Sequence, residues 1–195
     1  MATASGPEQI AELLPLNGRC SAEEYLWLSA RTNHLVELAE GSIEILPVPT
    51  DRHQAMVEFL FLLLYDYASR TDGKARFAPL RLRIAEGRFR EPDILYLRAA
   101  DDGRRGERFW TGADLVMEVV SPDDPARDHA TKRNEYAEAG IAEYWIVDPQ
   151  DETITVLRLA GQVYVEHGRF VRGQMANSAL LAGLSADVTS ALDAE

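Results

Sequence analysis

The chain has one cysteine, Cys20, among 195 residues, which excludes an internal disulfide framework and any metal cluster built on several thiolates. Such cysteine usage predicts a reducing compartment, the cytoplasm. Long hydrophobic runs are also missing. The most apolar stretch, residues 59–65, is bounded by Glu58 and Asp66 and is far shorter than the roughly 20 residues a spanning helix needs, so it reads as a buried helix. The first residues carry no basic segment and lead into no apolar block, so no export signal is expected. Positive charge is scarce: 20 Lys and Arg stand against 32 Asp and Glu, for a net charge of −12. A chain this acidic does not hold nucleic acid or an anionic membrane by bulk electrostatics.

What is present is enough for one good core, with 46% apolar residues and 27% charged ones. The expected organisation is a flexible N-terminal arm over 1–20, one domain over 21–175, and an Ala- and Ser-rich tail over 176–195. Ser21 followed by Glu24 has the form of a capping box and predicts a short helix to about Ser29. Residues 34–38 and 42–46 flank Gly41 as a hairpin. From His53 to about Ser69 the apolar residues Val57, Leu60 and Leu64 fall on one helical stripe, with Met56, Phe59 and Leu63 beside it. Two β-type runs follow at 77–84 and 92–97. A nearly continuous apolar run over 113–120 reads as a central strand, closed by Ser121-Pro122. A helix from Pro125 or Asp128 to Ala139, ended by Gly140, leads to a second central strand at 143–147. Short strands at 153–159, 162–166 and 169–171 read as a peripheral antiparallel sheet. The pattern is an α/β sandwich and not a regular βαβ repeat.

Two acidic residues sit where packing alone would not place them. Alternation puts Asp93 on the same face as Leu95 and Leu97, and puts Glu118 with Val116 and Val120 in the most apolar run of the chain. A carboxylate there is costly to bury unless it is paired, protonated or metal-bound. Two carboxylates on neighbouring strands suit Mg²⁺ or Mn²⁺; the alternatives are a turn cap for Asp93 and an arginine partner for Glu118. Asp128, Lys132 and Tyr136, spaced i, i+4, i+8, share one face of the following helix. From there the Lys132 amine could reach back over the Glu118 strand, or simply form a surface pair with Asp128. Ser121 has no setting for nucleophilic catalysis.

The ordered segments Pro92-Asp93, Glu118-Val119-Val120-Ser121-Pro122, Asp128, Lys132, Tyr136 and Gly140 through Pro149 resemble the Uma family of putative restriction endonucleases, a branch of the PD-(D/E)XK nuclease superfamily. Val36-Glu37-Leu38 before Gly41, and Pro49 through His53-Gln54, are similar to that family's N-terminal segment, so the likeness spans roughly residues 22 to 160. The resemblance implies a restriction-endonuclease-like fold: a mixed central sheet flanked by helices, with an N-terminal hairpin and a C-terminal antiparallel extension. It also implies Mg²⁺- or Mn²⁺-dependent phosphodiester hydrolysis, with Asp93 and Glu118 as catalytic metal ligands and a lysine supporting the attacking water. The superfamily's usual lysine, two residues after the glutamate, is here Val120. Either Lys132 supplies the charge from the helix, or the activity is weakened or absent. Glu37, His53, Asp128 and Tyr136 are secondary candidates for the same site.

Charge is uneven along the chain. Residues 70–108 hold eleven of the basic residues and seven acidic ones, so phosphate contacts could lie beside the Asp93 strand; alternating arginines such as Arg81 and Arg83 are equally the solvated face of a strand. The expected substrate is nucleic acid, DNA first, bound weakly, with no membrane partner. The alternative is a nuclease-fold module that binds protein or nucleic acid without cutting. A homodimer through a sheet edge near Tyr164 and Phe170 is a further expectation.

Overall fold

The fold is described for residues 18–195 by a computed structural model. The arm expected over 1–20 therefore lies outside the described residues as far as residue 17. Gly18 to Cys20 already belong to the fold: the Cys20 N–H donates to the Gly41 carbonyl at 2.9 Å, and the thiol is buried. Helix α1 (Ala22–Ser29) has the expected capping box, with Ser21 and Glu24 exchanging bonds. Strands β1 (Val36–Ala39) and β2 (Ser42–Ile45) form the hairpin, and its turn needs positive φ at both Glu40 (49°) and Gly41 (80°). Helix α2 (Asp51–Arg70) begins two residues before the expected start at His53, because the Thr50 hydroxyl accepts from the His53 N–H and caps it. The stripe Met56, Val57, Leu60, Leu64 and Ala68 is buried, each fully covered leucine contributing about 2 kcal/mol.

The run expected over 77–84 is two strands in different sheets. Strand β3 (Lys74–Phe77) stops at Ala78-Pro79, and β4 (Arg81–Ala85) leaves to pair with β5 (Arg88–Arg90). Strands β6 (Ile94–Leu97), β7 (Phe109–Trp110), β8 (Leu115–Val119) and β9 (Glu143–Asp148) follow, then β10 (Thr153–Ala160) and β11 (Val163–Val171). The central sheet is mixed, in the order β11-β10-β9-β8-β6-β3, with β8 and β9 parallel and the other pairs antiparallel. The three short C-terminal strands expected from sequence are two long ones that widen this sheet and do not form one of their own. A smaller sheet runs β2-β1-β5-β4-β7.

One face of the central sheet packs Ile94, Tyr96, Leu115, Met117, Trp145 and Val147 against α2. The other packs Leu95, Val116, Val120, Tyr144 and Ile146 against the helix after β8 and against Leu82 and Trp110 of the small sheet. That helix starts as a π-helical turn (Arg127–Lys132) and continues as α3 (Arg133–Glu138), closed by Gly140 at φ 74°. The restriction-endonuclease-like architecture expected from the resemblance is the one observed.

The segment 176–195 does not behave as a tail. Strands β12 (Met175–Asn177) and β13 (Ser185–Asp187) and helix α4 (Val188–Leu192) bury Leu181, Leu184, Val188, Ala191 and Leu192 in the α2 side of the core. Its small residues permit close packing, and the buried Glu143 carboxylate pins it. That carboxylate accepts from Trp145 Nε1 (2.7 Å), Ser178 Oγ (2.6 Å) and the Ala179 and Leu180 N–H groups (2.6 and 2.7 Å).

A buried ionic cluster fastens the small sheet to α3. Arg90, 2% exposed, gives Nη1 to Glu37 (2.9 Å) and Glu44 (2.8 Å), and forms a two-pronged pair with Glu135. Arg127 also contacts Glu37 and Glu44. Burial pushes the Glu37 carboxyl up, but Lys132, Arg90, Arg127 and the Glu91 N–H outweigh it and hold it at about 2.

Two outcomes follow. A carboxyl depressed from 4.5 to about 2 adds stability that is complete above about pH 4.5 and is lost as pH falls toward 2, about 3 kcal/mol for this group. Glu37→Gln therefore lowers stability at neutral pH and flattens the acid limb of the urea-unfolding profile; an acid limb as steep as the parent's contradicts the assignment. Glu143→Ala strands four donors and lowers the unfolding free energy by about 3 kcal/mol; a loss under about 1 kcal/mol would show that Glu143 does not hold the C-terminal segment.

Candidate active site

The antiparallel register of β6 and β8, Ile94 opposite Met117, continues outward to set Asp93 opposite Glu118. The Asp93 N–H points at Glu118 Oε2 (3.3 Å), and the Val119 N–H donates to Asp93 Oδ2 at 2.8 Å. The second Asp93 oxygen meets His53 Nε2 at 3.2 Å, from the first turn of α2. Alternation on two adjacent strands thus brings both acidic residues to one place. The Glu118 side chain is nearly closed off, at 3%, while Asp93 keeps 17% of its surface.

The helix after β8 supplies the other half. The Lys132 amine lies 2.9 Å from Glu118 Oε1 and 3.1 Å from Asp128 Oδ1, and the Tyr136 hydroxyl donates to Glu118 Oε1 at 2.6 Å. The Tyr144 hydroxyl donates to the Asp128 carbonyl, fixing the π-helical turn on the sheet. The i, i+4, i+8 face expected for Asp128, Lys132 and Tyr136 is therefore an interior face aimed at Glu118, and the surface pair is not what forms. Val120, at the superfamily's lysine position, is a core residue beside Tyr136 and Ile141.

Two carboxylates flank the buried ammonium, and a third, Asp93, lies beside Glu118. Burial, followed by the neighbouring Asp93 and Asp128 charges and against the pull of Lys132, pushes the Glu118 carboxyl up to about 8. Burial disfavours charge on Lys132 as well, but Glu118 and Asp128 hold the amine protonated. Asp128 Oδ1 is buried with no well-directed hydrogen bond, although the ammonium lies close to it. Burial raises the Tyr136 hydroxyl far above its ordinary value, so it stays a donor. At His53, burial opposes the imidazolium, and the Asp93 bond and surrounding carboxylates reverse that and raise it.

Among the described residues, no group of three or more His, Cys, Asp or Glu side chains is arranged to enclose a metal ion. The donors that converge are the two carboxylates of Asp93 and Glu118. They fit a hard divalent cation that keeps several waters: the ligands are oxygens, the local charge is in negative excess, and the weakest contact of Glu118 is the 3.3 Å one through Oε2.

The site opens into a cleft of about 200 Å³. Leu46, Pro47, Val48, Pro122, Asp123 and Asp124 line it together with Asp93, Glu118 and Lys132. Glu37, a secondary candidate, does not offer a free carboxylate: one oxygen is taken by Arg90 and Arg127, the other by the Glu91 N–H. Arg90, Arg127, Glu44, Glu91 and Glu135 escaped the sequence reading. Arg90 alternates with the buried Phe89 and so reads as solvent-facing, and only the docking of α3 covers it. Burial pushes the Glu91 carboxyl, beside Arg81, up to about 8.

The basic segment is largely spent internally. Arg70, Arg81, Arg88, Arg90, Arg98 and Arg104 each pair with a carboxylate. No helix among the described residues is long and apolar enough to cross a membrane.

Comparison with known proteins agrees with this architecture. Among solved structures the chain is similar to a putative nuclease belonging to DUF820 from Anabaena variabilis ATCC 29413, at TM-score 0.66 and 18% identity, over 83% of this chain and 91% of that one. At that identity the likeness speaks for the fold. No curated protein matches the chain. The family model Uma2, described as "Putative restriction endonuclease", matches residues 22–189, from α1 into α4 and across every element that builds the cleft. With that span matched, the chain belongs to the Uma2 family.

Proposed function

We propose that the protein is a divalent-cation-dependent nuclease that hydrolyses phosphodiester bonds of nucleic acid, DNA first, at the Asp93–Glu118 cleft. The observation that carries this reading is the meeting of Asp93, Glu118 and the Lys132 amine at one recessed point, with Lys132 2.9 Å from Glu118. Asp93 and Glu118 are the residues to hold Mg²⁺ or Mn²⁺. A cation bound there supplies Lewis-acid charge to a phosphate oxygen and acidifies water.

The chain's own residues set up the rest. Tyr136 and Lys132 both address Glu118 Oε1 and so leave Oε2 turned toward Asp93. Lys132 offsets part of the carboxylate charge that would otherwise repel a phosphate, supplying from the helix the positive charge that Val120 does not carry on the strand. His53 holds Asp93 Oδ1 and is a titratable group at the cleft floor that can take up or release a proton. The apolar and acidic lining gives few phosphate contacts, which supports weak binding with a shallow salt dependence.

Purified protein incubated with plasmid, single-stranded DNA and RNA should cut in Mg²⁺ or Mn²⁺ and not in chelator. Asp93→Asn and Glu118→Gln should each lower the rate by at least about 100-fold while the circular dichroism spectrum is unchanged. Absence of cleavage on every substrate, or a Glu118→Gln protein as active as the parent, returns the chain to a binding module. Independently of activity, Mn²⁺ relieves the carboxylate crowding, so it should raise the melting temperature by a few degrees in the parent and not in Asp93→Asn. Equal shifts in both proteins would remove Asp93 from the cation site.

A further inference from the structure

We propose that Arg127 is the residue that grips a backbone phosphate of the substrate in this cleft, exchanging its present carboxylate partners for the phosphate. The inference rests on the nuclease reading and adds to it a binding residue outside the Asp93, Glu118 and Lys132 set.

Three observations converge on Arg127. It lines the same cleft as Asp93, Glu118 and Lys132, and its side chain is 22% exposed. Its partners are already provided for: the Glu37 and Glu44 oxygens that its Nη2 contacts each also accept Arg90 Nη1, at 2.9 and 2.8 Å. Arg127 can therefore turn away without leaving a buried carboxylate unpaired, and the Glu91 N–H still holds the other Glu37 oxygen. Finally, its Nε–H is buried with no hydrogen-bond partner, a donor that the folded chain leaves unused.

The other cations at the cleft lack that freedom. Lys132 sits between Glu118 and Asp128, and removing it would expose two buried carboxylates to each other. His53 is engaged by Asp93. A guanidinium carries five N–H donors in a planar fork that matches two phosphate oxygens, so a cleft-lining arginine with a donor left unused is suited to a phosphodiester once it turns toward the cleft. The same exchange explains how an acidic cleft admits an anion: the incoming phosphate replaces Glu37 and Glu44 as the counter-charge of Arg127, and Arg90 keeps a hydrogen bond on each of those two carboxylates.

The test uses the full chain carrying Glu118→Gln, so that substrate survives, and a fluorescein-labelled DNA single strand of about 20 nucleotides, read by anisotropy across a salt series. Adding Arg127→Gln should weaken binding about tenfold and lower the slope of log K against log salt by about one contact. Adding Arg127→Lys should keep the slope and lose only about threefold in affinity, since the charge remains and the fork is lost. Unchanged affinity and slope in Arg127→Gln overturn the assignment. So does an Arg127→Gln protein that no longer folds, because the argument requires Arg90 alone to satisfy Glu37 and Glu44. A Glu118→Gln parent that binds no nucleic acid overturns the nuclease reading itself; a parent that binds normally beside unaffected Arg127 variants removes only Arg127.

Discussion

The arrangement of the site depends on one buried ammonium. Lys132 lies buried between Glu118 and Asp128, and without it Glu118 would meet Asp93 and Asp128 with no buried cation to offset them. With its three carboxylates ionised the cluster is two charges too negative even with Lys132 present, and burial, followed by the Asp93 and Asp128 charges, keeps the Glu118 carboxyl high. Groups packed for stability alone would be balanced. A surplus of carboxylate held rigid by Tyr136, Tyr144 and the π-helical turn is the condition under which binding a cation brings the site to neutrality.

A second ionic cluster, around Arg90, performs a different task at similar burial. Its charges are closer to matched, and the large depression of Glu37 reflects cations on several sides. It joins the β1–β2 hairpin and β5 to α3, and so fixes the Lys132 helix relative to the strand that carries Asp93. The hairpin thereby helps to position the Asp93–Glu118 cluster although it makes no hydrogen bond or ion pair with Asp93. Arg127 sits where the two clusters meet, with partners in one and a place in the cleft of the other.

Much of this was legible in the sequence wherever a short-range rule applied. Capping at Ser21, the positive φ at Gly41, the α2 stripe and the β8 and β9 runs all follow from neighbours within a few residues. Period-two alternation placed Asp93 and Glu118 on one face, and helical spacing aimed Lys132 and Tyr136 together; which of their alternatives formed depended on what the face packed against. The misread elements are those decided at long range. The run at 77–84 divides because its two halves join different sheets, and Ala- and Ser-rich residues after 175 looked tail-like although their small side chains are what lets the segment lie close on the core. The segment's anchor, Glu143, gives no local sign of its four donors, three of them from residues 178–180. Arg90 was hidden by the same alternation that revealed Asp93: it faces away from Phe89, and only the tertiary structure shows that this side is also covered.

The net charge of −12 takes on a different meaning once pairs are assigned. Half of the ten arginines of the locally basic segment pair with carboxylates from elsewhere in the chain and Arg81 pairs within it, so much of that sequence-local positive charge is offset internally. The lining of the cleft adds Asp123 and Asp124 to the Asp93, Glu118 and Asp128 carboxylates, while Leu46, Pro47 and Val48 carry no charge. Under the nuclease reading proposed above, a phosphate would therefore be held only where a cation offsets those carboxylates, and little would draw it in from a distance.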